Sequence, residues 1–161
     1  MTAYQEALNV PFLLSGPPTV YGHSGGRVPY PINHVDIAPT SLGLCGIPVP
    51  DWMEGTDYSG LYRGEGGEYP HSAYIQSVIP TGHGSSVDKP WRGIVTVDKW
   101  KYVCFEGCSW MLYNLNEDPY EQMNLAHDPA YRKKRLELLR ELRQWVEKTG
   151  DSFALPENGS L

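Results

Sequence analysis

The chain has 161 residues, a formal net charge of -6, 40% hydrophobic and 20% charged residues, the make-up of a globular protein rather than a disordered or membrane-spanning one. An acidic balance speaks against a binder of phosphate backbones, which shows as a basic surplus, and no apolar run approaches the ~20 residues needed to cross a bilayer. No nucleic-acid or membrane partner is expected, and no charged-then-apolar leader is read at the start, so no compartment is assigned.

The first element is the run Val10–Leu14 within "NVPFLLSG", closed by Ser15, Gly16, Pro17 and Pro18. It reads as a strand buried on both faces, whose N–H and C=O groups need neighbours on either side. Residues from Pro17 to Pro31 are rich in Gly and Pro and read as loop. Asn33 then resembles an N-cap, with Asp36 as the acidic member of a capping box. Val35, Ile37, Leu42 and Leu44 supply apolar positions for a short helix to about Cys45, stopped by Gly46, Pro48 and Pro50.

From Gly55 to Pro70 glycines break the pattern, leaving room for one helical turn around Asp57 to Tyr62. Four β-rich runs follow: Ala73–Ile79, Trp91–Val97, Lys101–Glu106 and Trp110–Leu115. Their spacing by turn residues predicts a four-stranded antiparallel meander with one long gap and two tight ones. Asp128-Pro129 is a helix start, an N-cap followed by Pro at the first helical position. Tyr131, Leu138, Leu139, Leu142, Trp145 and Val146 then mark one apolar stripe, ended by Gly150. That stripe should cover one face of the strands, since so small a sheet needs a helix over it. The tail from Asp151 is expected to be loose, and no internal repeat is seen.

Few residues carry an obvious chemistry. There is no Gly-x-Ser-x-Gly elbow, Walker loop, His-Glu-x-x-His or Cys-x-x-Cys pair. Three cysteines make no disulfide framework. Cys104 and Cys108 flank a hairpin tip and could either bridge or remain two thiols, because hairpin pairing alone does not guarantee the geometry. Cys45, among Leu42, Leu44 and Ile47, reads as a buried and inert thiol. The five histidines (His23, His34, His71, His83, His127) stand far apart with none at ligand spacing, but folding could still gather them, so spacing alone does not decide. His34 falls in a helix first turn and His127 before an N-cap, both read as structural or exposed. The basic cluster Arg132 to Arg135 reads as a solvated helix face, and Glu117-Asp118-Pro119 as turn chemistry.

The remaining candidate is the loop "PTGHGSSVDKPWR", Pro80 to Arg92. His83, Lys89 and Arg92, with Asp88, could present donors and cations to an anionic ligand, and Trp91 could stack on a sugar face. The competing reading is a plain surface loop, with Arg92 a structural residue at the start of a strand.

The order of several phrases carries a resemblance. "YQEALNVPFLLSGP" from Tyr4, "HVDIAPTSLGLCGIPVPDWMEGTDYSG" from His34, "WRGIVTVDKWKYV" from Trp91, "LYNLNEDPYEQMNLAHDP" from Leu112 and a final amphipathic helix together resemble the C-terminal third of a type I sulfatase of the alkaline phosphatase superfamily. The resemblance implies an α+β fold: a four-stranded antiparallel sheet packed against a long C-terminal helix, preceded by a remnant strand and short helix of the large sulfatase α/β domain. Residues 1–70 are expected to be that remnant and residues 71–161 the C-terminal subdomain.

The family's chemistry uses a formylglycine made from a Cys-x-Pro-Ser-Arg signature and a calcium ion held by acidic side chains. This sequence has no such signature and none of the paired aspartates. The resemblance therefore implies a C-terminal portion of a sulfuric ester hydrolase, inactive alone, with no catalytic residue, metal or cofactor of its own. Related phosphodiesterases share the architecture. Val10–Leu14 would be an orphaned strand, and its expected partner is the missing N-terminal sulfatase domain or another copy of the chain. The alternative is a stand-alone binding or assembly module for sulfated glycans or a partner chain, with the His83 to Arg92 loop as its working surface.

Overall fold

The structure, a computed structural model, describes residues 2–16, 26–65, 67–79, 82, 84 and 86–157. In chain order its elements are α1 (Gln5–Leu8), α2 (Ile37–Leu44, led in by a 3-10 turn His34–Asp36), α3 (Ser59–Tyr62), β1 (Ser72–Ser77), β2 (Trp91–Thr96), β3 (Trp100–Phe105), β4 (Cys108–Asn114) and α4 (Arg132–Lys148, led in by a 3-10 turn Pro129–Tyr131). Among the described residues no helix is long and apolar enough to cross a membrane. Two compact units result. One joins the residues up to Val10 with those from Tyr74 onward; the other is Pro11–Ala73. The first residues group with the sheet rather than with the segment that follows them.

The sheet has the order β1-β2-β3-β4, and its four strands form the antiparallel meander that the turn spacing predicts. Ile94 stands opposite Tyr102, and Tyr102 opposite Leu112, so these three side chains form a row on one face. On the other face Lys101 faces Tyr113 and Val103 faces Met111. The turn from β3 to β4 is Glu106-Gly107, with Gly107 at φ 71, a left-handed backbone that only glycine adopts without steric cost. A bulge beside Val103 and Cys104 sets Cys104 opposite Ser109 and Cys108 opposite Phe105, and all three cysteines are free thiols.

Both faces of this sheet are covered. Tyr74, Ile94, Tyr102, Cys104 and Leu112 meet Leu138, Leu139, Leu142 and Val146 of α4, with Tyr131 and Trp145 at the margin, which is the stripe read from the sequence. Each fully buried leucine here removes enough apolar surface from water to contribute about 1.5–3 kcal/mol. Asp128 caps the lead-in turn, its Oδ1 accepting from Ala130 N at 2.8 Å, and Gly150 at φ 63 ends the helix. Arg135, expected on a solvated face, is instead buried and its Nη1 donates to the Ala126 carbonyl, tying α4 to the loop before it; Arg132 and Lys133 are exposed.

The tail is not loose. Phe153 is buried in the same core, Leu155 packs against it, and the Ala154 carbonyl accepts from Gly107 N at 3.1 Å, so residues after the helix return to the hairpin tip. The opposite face of the sheet presents Trp91, Val103, Met111 and Tyr113, and it is closed by the N-terminal segment through Ala3 and Leu8.

In the second unit the capping box is formed: Asn33 Oδ1 accepts from His34 N at 2.9 Å and Asp36 Oδ2 accepts from Asn33 N at 2.7 Å. Asp36 then uses its other oxygen on Thr56 N at 2.7 Å, and Thr40 Oγ1 accepts from Tyr58 N at 3.0 Å, so the cap also anchors the loop into α3. Gly55 sits at φ 99 against the Val35 carbonyl, where a Cβ would collide with backbone. These contacts hold "HVDIAPTSLGL" and "EGTDYSG" against each other. Cys45 is exposed, not buried, because α2 buries Pro39 and Thr40 instead of the Leu42 and Leu44 side. Val10–Leu14 joins no sheet among the described residues; Leu13 is 90% and Val10 62% exposed. An apolar run needs a paired neighbour to be a strand, and none is offered to it here.

Candidate functional site

Of the three candidates in the long β1–β2 loop, Lys89 and Arg92 lie among the described residues. His83 lies outside the described residues. Lys89 is exposed, with its Nζ 5.8 Å from the centre of the Phe105 ring. Arg92, only 5% exposed, points inward from the start of β2. Its Nε donates to Asp151 Oδ2 at 2.5 Å and its Nη2 to Asp151 Oδ1 at 3.3 Å, while Nη1 donates to the Ser77 and Trp91 carbonyls at 3.0 and 3.1 Å. The Phe153 ring lies 4.6 Å from the guanidinium carbon. The fork is spent on protein acceptors, a two-pronged carboxylate pair that joins two sheet strands to the tail.

Asp151, the partner in that pair, is a residue that sequence reasoning missed. Arg92 first, and then the hydrogen bonds from Tyr74 and Phe153 N, hold its carboxyl below the usual range. Tyr74 donates its phenolic proton to Asp151 Oδ2 at 2.8 Å, and burial, followed by that bond, pushes the phenol above its usual range. The Phe153 and Leu155 spacing was the available signal: two apolar residues in step just past a helix stop.

A second missed constellation is a fully buried ion pair, Lys101 with Glu121. Lys101 belongs to β3 and Glu121 to the loop after β4, and both meet the N-terminal segment. Burial draws the Lys101 ammonium below the usual lysine range, with Glu121 opposing it.

Both constellations are engaged with protein partners. Burial, reinforced by Cys108, pushes the Cys104 thiol up to about 12, which leaves it protonated and poorly nucleophilic. Among the described residues no three His, Cys, Asp or Glu side chains converge to hold a metal ion. No cysteine of the sequence stands in a Cys-x-Pro-Ser-Arg signature. What the arrangement does chemically is brace: it ties the helix, the tail and the first residues to one sheet.

Comparison with known proteins assigns this bracing unit. Residues 1–148 match the family described as N-sulphoglucosamine sulphohydrolase, C-terminal. An ulvan-active sulfatase of Formosa agariphila is 34% identical over 151 residues, covering 94% of this chain and 29% of that protein. A delta 4,5-hexuronate-2-O-sulfatase of Bacteroides thetaiotaomicron is 31% identical over 157 residues, covering 93% of this chain and 31% of that protein. Among solved structures, a 2-O GAG sulfatase superposes with a TM-score of 0.62 at 29% identity, over 72% of this chain and 25% of that one. The chain thus spans less than a third of the length of these two relatives. It belongs to the N-sulphoglucosamine sulphohydrolase C-terminal family of the sulfatases.

Proposed function

We propose that these 161 residues form the supporting C-terminal lobe of a hydrolase acting on sulfate esters of saccharides, and that hydrolysis requires polypeptide beyond them. The family match along residues 1–148 carries the reading. The absence of a Cys-x-Pro-Ser-Arg signature from the sequence supports the second part, and the relatives named for ulvan and for a hexuronate 2-O-sulfate support the substrate class. The residues of this chain hold position rather than move protons: Arg92 and Asp151 fasten the tail, and Lys101 and Glu121 fasten the first segment. Val10–Leu14 is the surface for a partner, either the remaining sulfatase polypeptide or a second copy.

The test is turnover of an aryl sulfate by the purified chain with calcium present. No turnover is expected; calcium-dependent release that tracks the chain through successive purification steps would overturn the reading.

The exposure of Lys89 supports a second, narrower reading: the β1–β2 loop offers a cation to sulfated glycans, with His83 as a further donor and Arg92 anchoring the strand. Titration of sulfated oligosaccharides should then give weaker binding for a His83→Ala, Lys89→Ala double variant than for the unaltered chain. Equal binding, or none by either, removes it.

A further inference from the structure

We infer that Lys101 and Glu121 form a register clamp, a buried ion pair that reads two main-chain groups of the N-terminal segment and admits it onto the sheet in one alignment. Lys101 Nζ donates to the Ala3 carbonyl at 2.5 Å, and Glu121 Oε2 accepts from Gln5 N at 2.6 Å. The other Glu121 oxygen, Oε1, faces the ammonium in the ion pair. The clamp therefore grips the C=O of one residue and the N–H of the second residue after it. The rings of Tyr4 and Tyr113 enclose the ammonium, with centroids at 5.8 and 5.5 Å.

Both charges are fully buried, and each takes one main-chain partner from the segment. Apolar contacts could not set the alignment by themselves. Ala3 and Leu8 pack against Trp91, Val103, Met111 and Tyr113, but such contact is non-directional and tolerates slippage. A shift by one residue would offer Lys101 and Glu121 a different carbonyl and amide and move Ala3 and Leu8 out of their contacts. The pair is also a poor device for stability alone, since a buried ion pair often does no better than apolar residues of the same volume; setting register is its best-attested use.

The local backbone is arranged for the grip. Glu121 sits at φ 54, a left-handed conformation uncommon for a residue with a side chain. The loop is held there by Asp118, whose carboxylate accepts from Gln122 N at 3.0 Å and Met123 N at 2.8 Å. The clamp fixes the path of residues 3–5 and hence the point at which the chain leaves this unit at Val10. It rests on this geometry and not on the proposed hydrolase reading.

Two kinds of variant of the whole chain test it, read by amide hydrogen exchange at residues 3–8. A Lys101→Met, Glu121→Leu double variant replaces the pair by apolar side chains; its thermal midpoint should stay near or above that of the unaltered chain, while exchange at residues 3–8 accelerates at least tenfold and β3 and β4 remain protected. Gln5→Pro leaves both charges in place and deletes only the amide that Glu121 reads. Gln5 is the first residue of α1 and Tyr4 before it is extended at φ -78, ψ 153, so proline is tolerated there. Gln5→Pro should give the same acceleration, and Gln5→Ala, which keeps the amide, should not. Residues 3–8 as protected in Gln5→Pro as in the unaltered chain would overturn the clamp, whether or not the double variant folds.

Discussion

The two faces of the sheet are covered by different physics. On one face the 17-residue helix α4 supplies a continuous apolar stripe, and its coverage is summed from many interchangeable contacts. On the other face a short N-terminal segment supplies Ala3 and Leu8 among the described residues, and two charged side chains bind its backbone. A long amphipathic helix can find its seat by area. A short segment with little apolar surface needs directional bonds to be held in one place.

That contrast predicts a graded set of outcomes in chemical denaturation. Glu121→Ala strands a buried ammonium and should cost about 3–5 kcal/mol, more than any single truncation under the helix. Leu142→Ala, in the most buried part of the stripe, should cost about 3 kcal/mol through lost transfer energy and the cavity left behind. A helix-face truncation that exceeds the Glu121 variant would break the comparison. Asp151→Ala should cost about 2 kcal/mol, the scale of charge-assisted hydrogen bonds to a buried guanidinium.

Asp151 also gives this tail a pH signature. Its carboxyl is held below the unfolded value of about 3.9, so its contribution is complete above that pH and is lost as the pH falls through the lower folded value. Asp151→Asn should therefore flatten the acid limb of stability against pH. Asp128→Ala, which removes a cap and nothing from either face, should cost about 1 kcal/mol. Smallest in stability is Leu13→Asp, expected to change it by less than about 0.5 kcal/mol because the side chain is exposed, while lowering self-association in sedimentation. Unchanged sedimentation would argue that this run does not join copies of the chain.

Where periodicity and caps govern, the sequence was readable. The α4 stripe, the Asp128-Pro129 start, the Asn33–Asp36 box and the four strands each depend on residues within a few positions of one another. The rest depends on pairs far apart. Arg92 and Asp151 are 59 positions apart, and Lys101 and Ala3 are 98 apart; no local pattern announces either bond. For the same reason Arg135 read as solvated, its acceptor being a loop carbonyl nine residues upstream. For Cys45 the cause is the opposite: neighbouring leucines suggest burial, but α2 turns its Pro39 and Thr40 side inward.

The position of Asp151 bears on how this lobe can be excised or tagged. The family match stops at residue 148, a tempting place to cut. A truncation there would discard the carboxylate that neutralises Arg92 and the Phe153 ring stacked on it, leaving a bare cation under the first β-hairpin and an open seam beside the helix. A piece that keeps this core closed has to run through Leu155.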